Sequence, residues 1–401
     1  MAKLKLKAWR WQKRLAAVAH HIVQCGLLMG ALSGLSALAQ PAAEPSPAAS
    51  IASAPTGAGP AASAAAPQPP AIRVGRIRGR ITAEDLGVVI NTADPYSVAV
   101  GEYYVRRRGI APENVVRLSL PVRARLTAAE FEAFNDALHA QMPAGVQGLA
   151  LAWREPYAVE CNSITSAIAL GFQPRLCEQT CAPSRTSLYF NYPGARPYTE
   201  LGLWPSMLLA ARNVAAAEAL IERGIASDGS QPSEAGANAW FVSTPDGARS
   251  VRAALFPPAG RLGQLNLDVK RASSQDLPPL KRTLVYETGL TRVDGLTAVD
   301  WLPGALADHL TSFGGLLDAP VTGGQMSAVD WLEAGATASY GTVTEPCNHL
   351  QKFPHPQVLL LYYAQGSTAL EAYWRSVAWP GQGVFIGEPL AAPFAARKQN
   401  D

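Results

Sequence analysis

Several common catalytic signatures are missing from this sequence. It has no G-x-S-x-G elbow, no P-loop, no H-E-x-x-H pair and no clean G-x-G-x-x-G turn, which sets aside the commoner serine hydrolases, nucleotide enzymes and zinc peptidases. A surplus of one charge is also lacking: 34 Lys and Arg against 31 Asp and Glu leave a formal net charge of +3 over 401 residues. Phosphate backbones are bound by dense basic faces, so nucleic acid is not an expected partner. No long apolar run recurs after Ala39, so no further membrane span is expected. No lipobox precedes Cys25.

What the chain does have begins at its start. MAKLKLKAWRWQKR is rich in Lys and Arg, and the apolar stretch after it, Leu15 to Ala39, closes on Ala37-Leu38-Ala39 before Gln40. A basic region, an apolar region and small residues in that order describe a cleavable secretory signal over residues 1–39. Retention of the stretch as an anchor is the alternative. Residues 40–74 are mostly Pro, Ala, Ser and Gly, too poor in apolar surface to fold, and read as a disordered spacer. Its Arg-rich end, IRVGRIRGR, reads as a solvated lead-in to the first strand, with docking on an acidic surface as the alternative. A single α/β domain over 75–395 and a tail over 396–401 complete the chain. This organisation predicts an exported protein, periplasmic or extracellular, with no stable membrane span once the signal is removed. A hydrophobic content of 48% is ample for a core.

Four cysteines follow the signal: Cys161, Cys177, Cys181 and Cys347. In an oxidising compartment they predict two disulfides, with three connectivities open. Cys161, Cys177 and Cys181 as metal ligands are the alternative, but no His lies close by in sequence, and neither metal nor cofactor is expected.

Periodicity in the domain alternates between strand and helix. Leu86 to Ile90 predicts a strand, an amphipathic stretch to Arg108 a helix stopped by Gly109, and VVRLSL a second strand in a right-handed βαβ unit. Thr127 with Glu130, and Thr368 with Glu371, have the spacing of capping boxes. GLALAW, AWFVST, TLVYET, the region around PGALAD, and ATASYGTV predict further strands. NVAAAEALIER predicts a helix stopped by Gly224, and QMSAVDWLEA one ended by Gly335. Between them, Tyr157 to Ser206 lacks periodicity and reads as a long ordered insertion. The alternation predicts a mostly parallel sheet with helices on both faces.

Two resemblances add to this reading. The strings AWREPYAVECNSITSAIALGF, LGLWPSMLLAARNVAAAEALIERGIASDGS and PGALADHLTSFGG with GATASYGTVTEPCNHLQKFP resemble a bacterial family of exported, uncharacterised proteins. More distantly, the order LVYETGL, PGALADHLTSFGG, QMSAVDWLEA, GATASYGTV is similar to that of gingipain-type peptidases and the caspase-like clan. That likeness implies a caspase-like three-layer sandwich and a His/Cys dyad at two strand ends. Here Thr288 precedes Gly289 where the clan has His, and Asp308 or His309 stands nearest the clan's Cys.

Candidate site residues sit just after predicted strands, where open α/β sheets place ligands. Asp308, His309, Thr311 and Ser312 offer a base and hydroxyls, although alternation along a strand would point Asp308 and His309 apart, and a His hydrogen-bonded to backbone at a turn is the alternative. Cys347 in VTEPCNH would come close to His309 if their strands are neighbours, giving a nonstandard dyad; a Cys161–Cys347 disulfide or simple burial is the alternative. The catalytic expectation is therefore His309 as base and Cys347 or Ser312 as nucleophile, with Asp308 beside them. Arg154, Glu160, Asn162, Ser163 and Glu345 are the substrate-binding expectation, with a salt-bridged loop as the alternative for those near Arg154. Asp94 and Ser97 read as helix caps, with lining of the same crevice as the alternative, and Asp246 with Arg249 and Arg252 as a helix start with solvated charges. Two functions remain open: a hydrolase acting on a peptide or envelope substrate, or a non-catalytic descendant that binds a peptide, glycan or protein partner.

Overall fold

A computed structural model describes residues 73, 75–318 and 321–396; the expected signal, nearly all of the spacer, and the tail beyond residue 396 lie outside them. In chain order the elements are β1 (Leu86–Asn91), α1 (Pro95–Arg108), β2 (Val115–Leu118), β3 (Arg125–Leu126), α2 (Ala128–Gln141), β4 (Gly148–Leu151), β5 (Ala158–Val159), β6 (Asn162–Ser163) and α3 (Ile164–Leu170). Short helices α4 (Arg175–Glu178) and α5 (Pro197–Leu201) precede β7 (Ser206–Leu208), α6 (Val214–Ser227), β8 (Ala237–Ser243), β9 (Gly260–Leu262), β10 (Leu267–Ser273), β11 (Thr283–Thr288) and β12 (Trp301–His309). Then come α7 (Ala328–Ala334), β13 (Ala338–Thr342), α8 (Pro356–Ala364), α9 (Ala369–Ser376) and β14 (Gly383–Gly387).

Local chemistry sets the ends of these helices. Asp94 accepts from the Tyr96 amide at the start of α1, and Gly109 closes it at φ 64°, a conformation that costs a residue without Cβ little. Both expected capping boxes form, Thr127 with Glu130 on α2 and Thr368 with Glu371 on α9. Helix α6 departs from expectation: it runs through Gly224 to Ser227. A Cβ at Gly224 would lie 2.5 Å from the Glu388 side chain, so this glycine makes room for a buried carboxylate rather than ending the helix. Glu388 accepts from the Tyr104 hydroxyl at 2.7 Å and from Arg108 at 2.6 Å.

Among the described residues the strands form an 11-stranded sheet in the order β2-β1-β4-β7-β14-β13-β12-β11-β8-β10-β9. Neighbours are parallel except at β13/β14 and β10/β9, as expected for a mostly parallel α/β sheet. Successive residues feed opposite faces: Val88, Ile90 and Phe385 pack in one core layer, Val89, Val384 and Ile386 in the other. Burial on both sides makes the three-layer sandwich. The antiparallel seam divides the sheet into two parallel blocks that point opposite ways. Between these blocks the chain reverses direction twice, once between β7 and β8 across the single helix α6 and again between β13 and β14 across α8 and α9. Val343 N–H accordingly bonds the Gln382 carbonyl at 2.9 Å, beside the start of β14.

The insertion between β4 and β7 is ordered and carries three of the cysteines. The connectivity left open by sequence is Cys161–Cys177 and Cys181–Cys347, so Cys347 is joined to Cys181 and not to Cys161. The second bridge ties the insertion to the loop after β13 across 166 residues, while the first spans 16. Loop-closure entropy grows with span, giving about 5 kcal/mol for the long bridge and about 3 kcal/mol for the short one. Urea denaturation should therefore show a larger stability loss for C181S/C347S than for C161S/C177S; equal losses would show that loop closure does not govern these bridges.

Candidate functional site

Ser243, Thr288, His309 and Thr342 end β8, β11, β12 and β13, which lie together and run parallel. Their carboxyl ends form one edge, and register places Thr288 beside His309 and Glu287 beside Asp308. Alternation then sends the two members of each strand end to opposite faces.

On one face Arg252 reaches in from the turn Ser250–Leu255 that follows β8. The expectation of a solvated charge is overturned: Arg252 is 1% exposed, and Glu287 and Asp308 are fully buried. Arg252 Nη1 donates to Asp308 Oδ1 at 2.5 Å and lies 3.4 Å from Glu287 Oε2, while Nη2 donates to the Thr288 carbonyl at 2.9 Å. One guanidinium thus faces two carboxyls, and neither Glu287 oxygen has a hydrogen-bond partner. Burial pushes both carboxyls up, Glu287 well above the usual range; Arg252 opposes the rise, most directly at Asp308 through a hydrogen bond. Burial thus favours the protonated form of Glu287, while Asp308 is the carboxyl that hydrogen-bonds Arg252. Asp308 is spent on this ion pair and is not available to a catalytic group.

His309 points to the other face. Its Nδ1 accepts from Trp331 Nε1 at 2.9 Å, which leaves Nε2–H to donate to the Met326 carbonyl, also at 2.9 Å. Burial pushes its pKa down to about 4. A neutral imidazole with both nitrogens engaged has no lone pair for a substrate proton, so the expected general base is corrected to a core histidine. Cys347, its expected partner, is corrected likewise: its sulfur is bonded to Cys181, and its amide donates to Glu345 Oε1 at 2.8 Å.

The other expected residues divide. Asn162 is buried in a two-way clamp, Nδ2 to the Gln173 carbonyl and Oδ1 from the Gln173 amide, both at 3.1 Å. Ser163 is buried as the N-cap of α3, accepting from the Ser166 amide at 3.1 Å. Both therefore hold the insertion together and do not face a ligand. Glu160 is exposed at φ 49°. Ser312, Glu345, Asp246 and Arg249 line a cavity of about 120 Å³ at the strand edge, room for a few waters. Ser312 has no imidazole there to activate it.

Arg154 lines a larger cavity of about 620 Å³. Arg212 and Arg292 stand with it, interspersed with Asp294, Asp318 and Asp330, and Leu317 and Val329 are among the apolar walls. Gln325 and Met326 join this cleft to the strand edge: Gln325 Oε1 accepts from Thr311 Oγ1 at 2.6 Å, and Met326 is the partner of His309. Sequence reasoning missed Arg212 and Arg292, which look like ordinary surface charges. It also missed Lys352, 1% exposed, whose Nζ donates to the Thr180 carbonyl at 2.8 Å and to Gln382 Oε1 at 2.7 Å. Burial pushes Lys352 down to about 8. Gln382 Nε2 in turn donates to the Glu345 carbonyl at 2.8 Å, so the loop after β13 is fixed from below as well as by the disulfide. Among the described residues no group of His, Cys, Asp and Glu is placed to hold a metal ion.

Glu287 holds its proton to higher pH when folded than when unfolded, where it titrates near 4.5; its contribution is full below that value and is lost as pH rises toward its raised folded pKa. The stability of E287Q relative to the parent should accordingly improve as pH rises above 4.5, whereas D308N should lose about 3–5 kcal/mol because it strands Arg252. A pH-independent E287Q difference in denaturation midpoints would show that Glu287 is ionised. His309 behaves oppositely: folded near 4 against 6.5 unfolded, it contributes roughly 3 kcal/mol that is present above pH 6.5 and lost as pH falls through 4. Its ring resonances should show no protonation above about pH 5 in an NMR titration.

No family model matches this sequence, and no curated protein does. Among solved structures, one described only as a protease is 10% identical, covering 80% of this chain and 81% of its own, with a TM-score of 0.45. The complex of the pro- and mature domains of RgpB from Porphyromonas gingivalis is also 10% identical, covering 78% of this chain and 80% of its own, with a TM-score of 0.37.

Proposed function

We propose that this chain is an exported, non-catalytic binding protein whose peptidase-like α/β frame takes an acidic peptide segment in the cleft of Arg154, Arg212 and Arg292. The observation that carries this reading is the commitment of both dyad candidates: His309 has no free nitrogen and Cys347 no free sulfur. The order β11, β12, α7, β13 keeps the frame of the clan that the sequence resembles, over the domain expected at 75–395. Its strand ends are filled by structural contacts instead of a nucleophile and base. The cleft favours a peptide because its walls mix apolar surface, which accepts aliphatic side chains, with guanidinium groups whose present partners, Glu155 for Arg154, Asp330 for Arg212 and Asp294 for Arg292, an acidic segment would replace. Two disulfides support residence in an oxidising compartment, periplasmic or extracellular.

Incubation with a mixed peptide library should leave every peptide intact by mass spectrometry. Fluorescence titration should show acidic peptides binding more tightly than their amidated counterparts. Loss of two charge-assisted contacts in R154Q/R292Q should weaken that binding by about tenfold or more. Cleavage that persists in purified protein and disappears in S312A would restore the hydrolase reading, and unchanged affinity in R154Q/R292Q would remove the cleft from it.

A further inference from the structure

The Arg-rich segment that leads into the domain is not a loose tail where it is described. Asn191 Nδ2 donates to the Arg73 carbonyl at 3.0 Å, and Gln365 Nε2 donates to the Gly75 carbonyl at 3.2 Å. The Ile77 amide donates to Gln365 Oε1 at 3.1 Å, and the Arg78 amide to the Pro193 carbonyl at 3.3 Å. Backbone contacts therefore hold the segment against the domain while the side chains of Arg73, Arg76 and Arg78 are exposed. Among the described residues none of the three has an ion-pair partner. Glu200, a carboxylate on this side, accepts from the Tyr192 hydroxyl and keeps its charge, and Arg78 also acts on that hydroxyl. Most exposed arginines elsewhere face a carboxylate, as Arg117 faces Glu102 and Arg123 faces Glu130. The segment is thus held against the domain, and among the described residues its three guanidiniums are without a direct ion pair.

We propose that Arg73, Arg76 and Arg78 form a docking strip for an anionic phospholipid surface. Three exposed guanidiniums within six residues suit an array of headgroups, whereas a single bound anion needs a concave cradle of donors. The strip also follows, in sequence, the chain's long apolar stretch and its Pro/Ala-rich segment. Ordering the backbone beforehand removes the entropy cost that a flexible basic tail meets on binding. Each arginine near such a surface strengthens binding about fivefold, and salt screens the effect.

The test is sedimentation of the full chain with vesicles of phosphatidylcholine alone and of phosphatidylcholine with phosphatidylglycerol. Phosphatidylglycerol should increase binding, high salt should remove the increase, and R73Q/R76Q/R78Q should reduce it on the order of a hundredfold. The control R117Q/R123Q/R261Q loses the same charge from other exposed positions and should keep the increase. Equal binding to both vesicle types would overturn the proposal, because only the apolar stretch would then be engaged. Equal loss in the two triple variants would also overturn it, reducing the effect to net charge. Binding to heparin with none to phosphatidylglycerol would overturn it in favour of an acidic glycan.

Discussion

Burying a guanidinium at the ends of two central strands is the constraint on which this edge of the protein depends. Arg252 arrives from the turn after β8, meets a carboxyl from β11 and another from β12, and donates to the last carbonyl of β11. An unpaired charge there would cost several kcal/mol. The turn after β8 and the ends of β11 and β12 are therefore fixed relative to one another. Burial also raises both carboxyls, Glu287 furthest, while Asp308 is the one that hydrogen-bonds Arg252.

The opposite face of the same strand end is closed by a different device. Trp331 from α7 and the Met326 carbonyl take both nitrogens of His309, so the imidazole locks the approach to α7 and cannot cycle protons. Beyond it, the loop after β13 is held by the Cys181 disulfide and by the Lys352–Gln382 pair. An edge built this way is held by contacts from four separate segments. The larger cleft beside it carries arginines and aspartates over apolar walls.

Elements whose determinants lie within a turn of one another were legible from sequence. The capping boxes of α2 and α9 and the Gly109 stop of α1 each depend on residues no more than four apart. The two-faced burial of the sheet was legible for a related reason: period-two alternation and short apolar runs leave few choices but helices on both sides. Gly224 misled because the same residue that ends helices also permits close approach, and the reason for it, Glu388, is far along the chain.

The candidate site shows the division most clearly. By itself the sequence determined a mostly parallel α/β domain, four cysteines able to pair, and polar residues after strands, because spacing and periodicity are local properties of a chain. Only the tertiary structure decided that Cys347 pairs with Cys181, that Arg252 is buried, that His309 faces Trp331, and that β14 runs against β13. Each of these joins segments that meet only after the sheet has closed. A side chain's chemistry depends on which neighbours desolvate it and which donors reach it, and those partners are set by the packing of the whole domain.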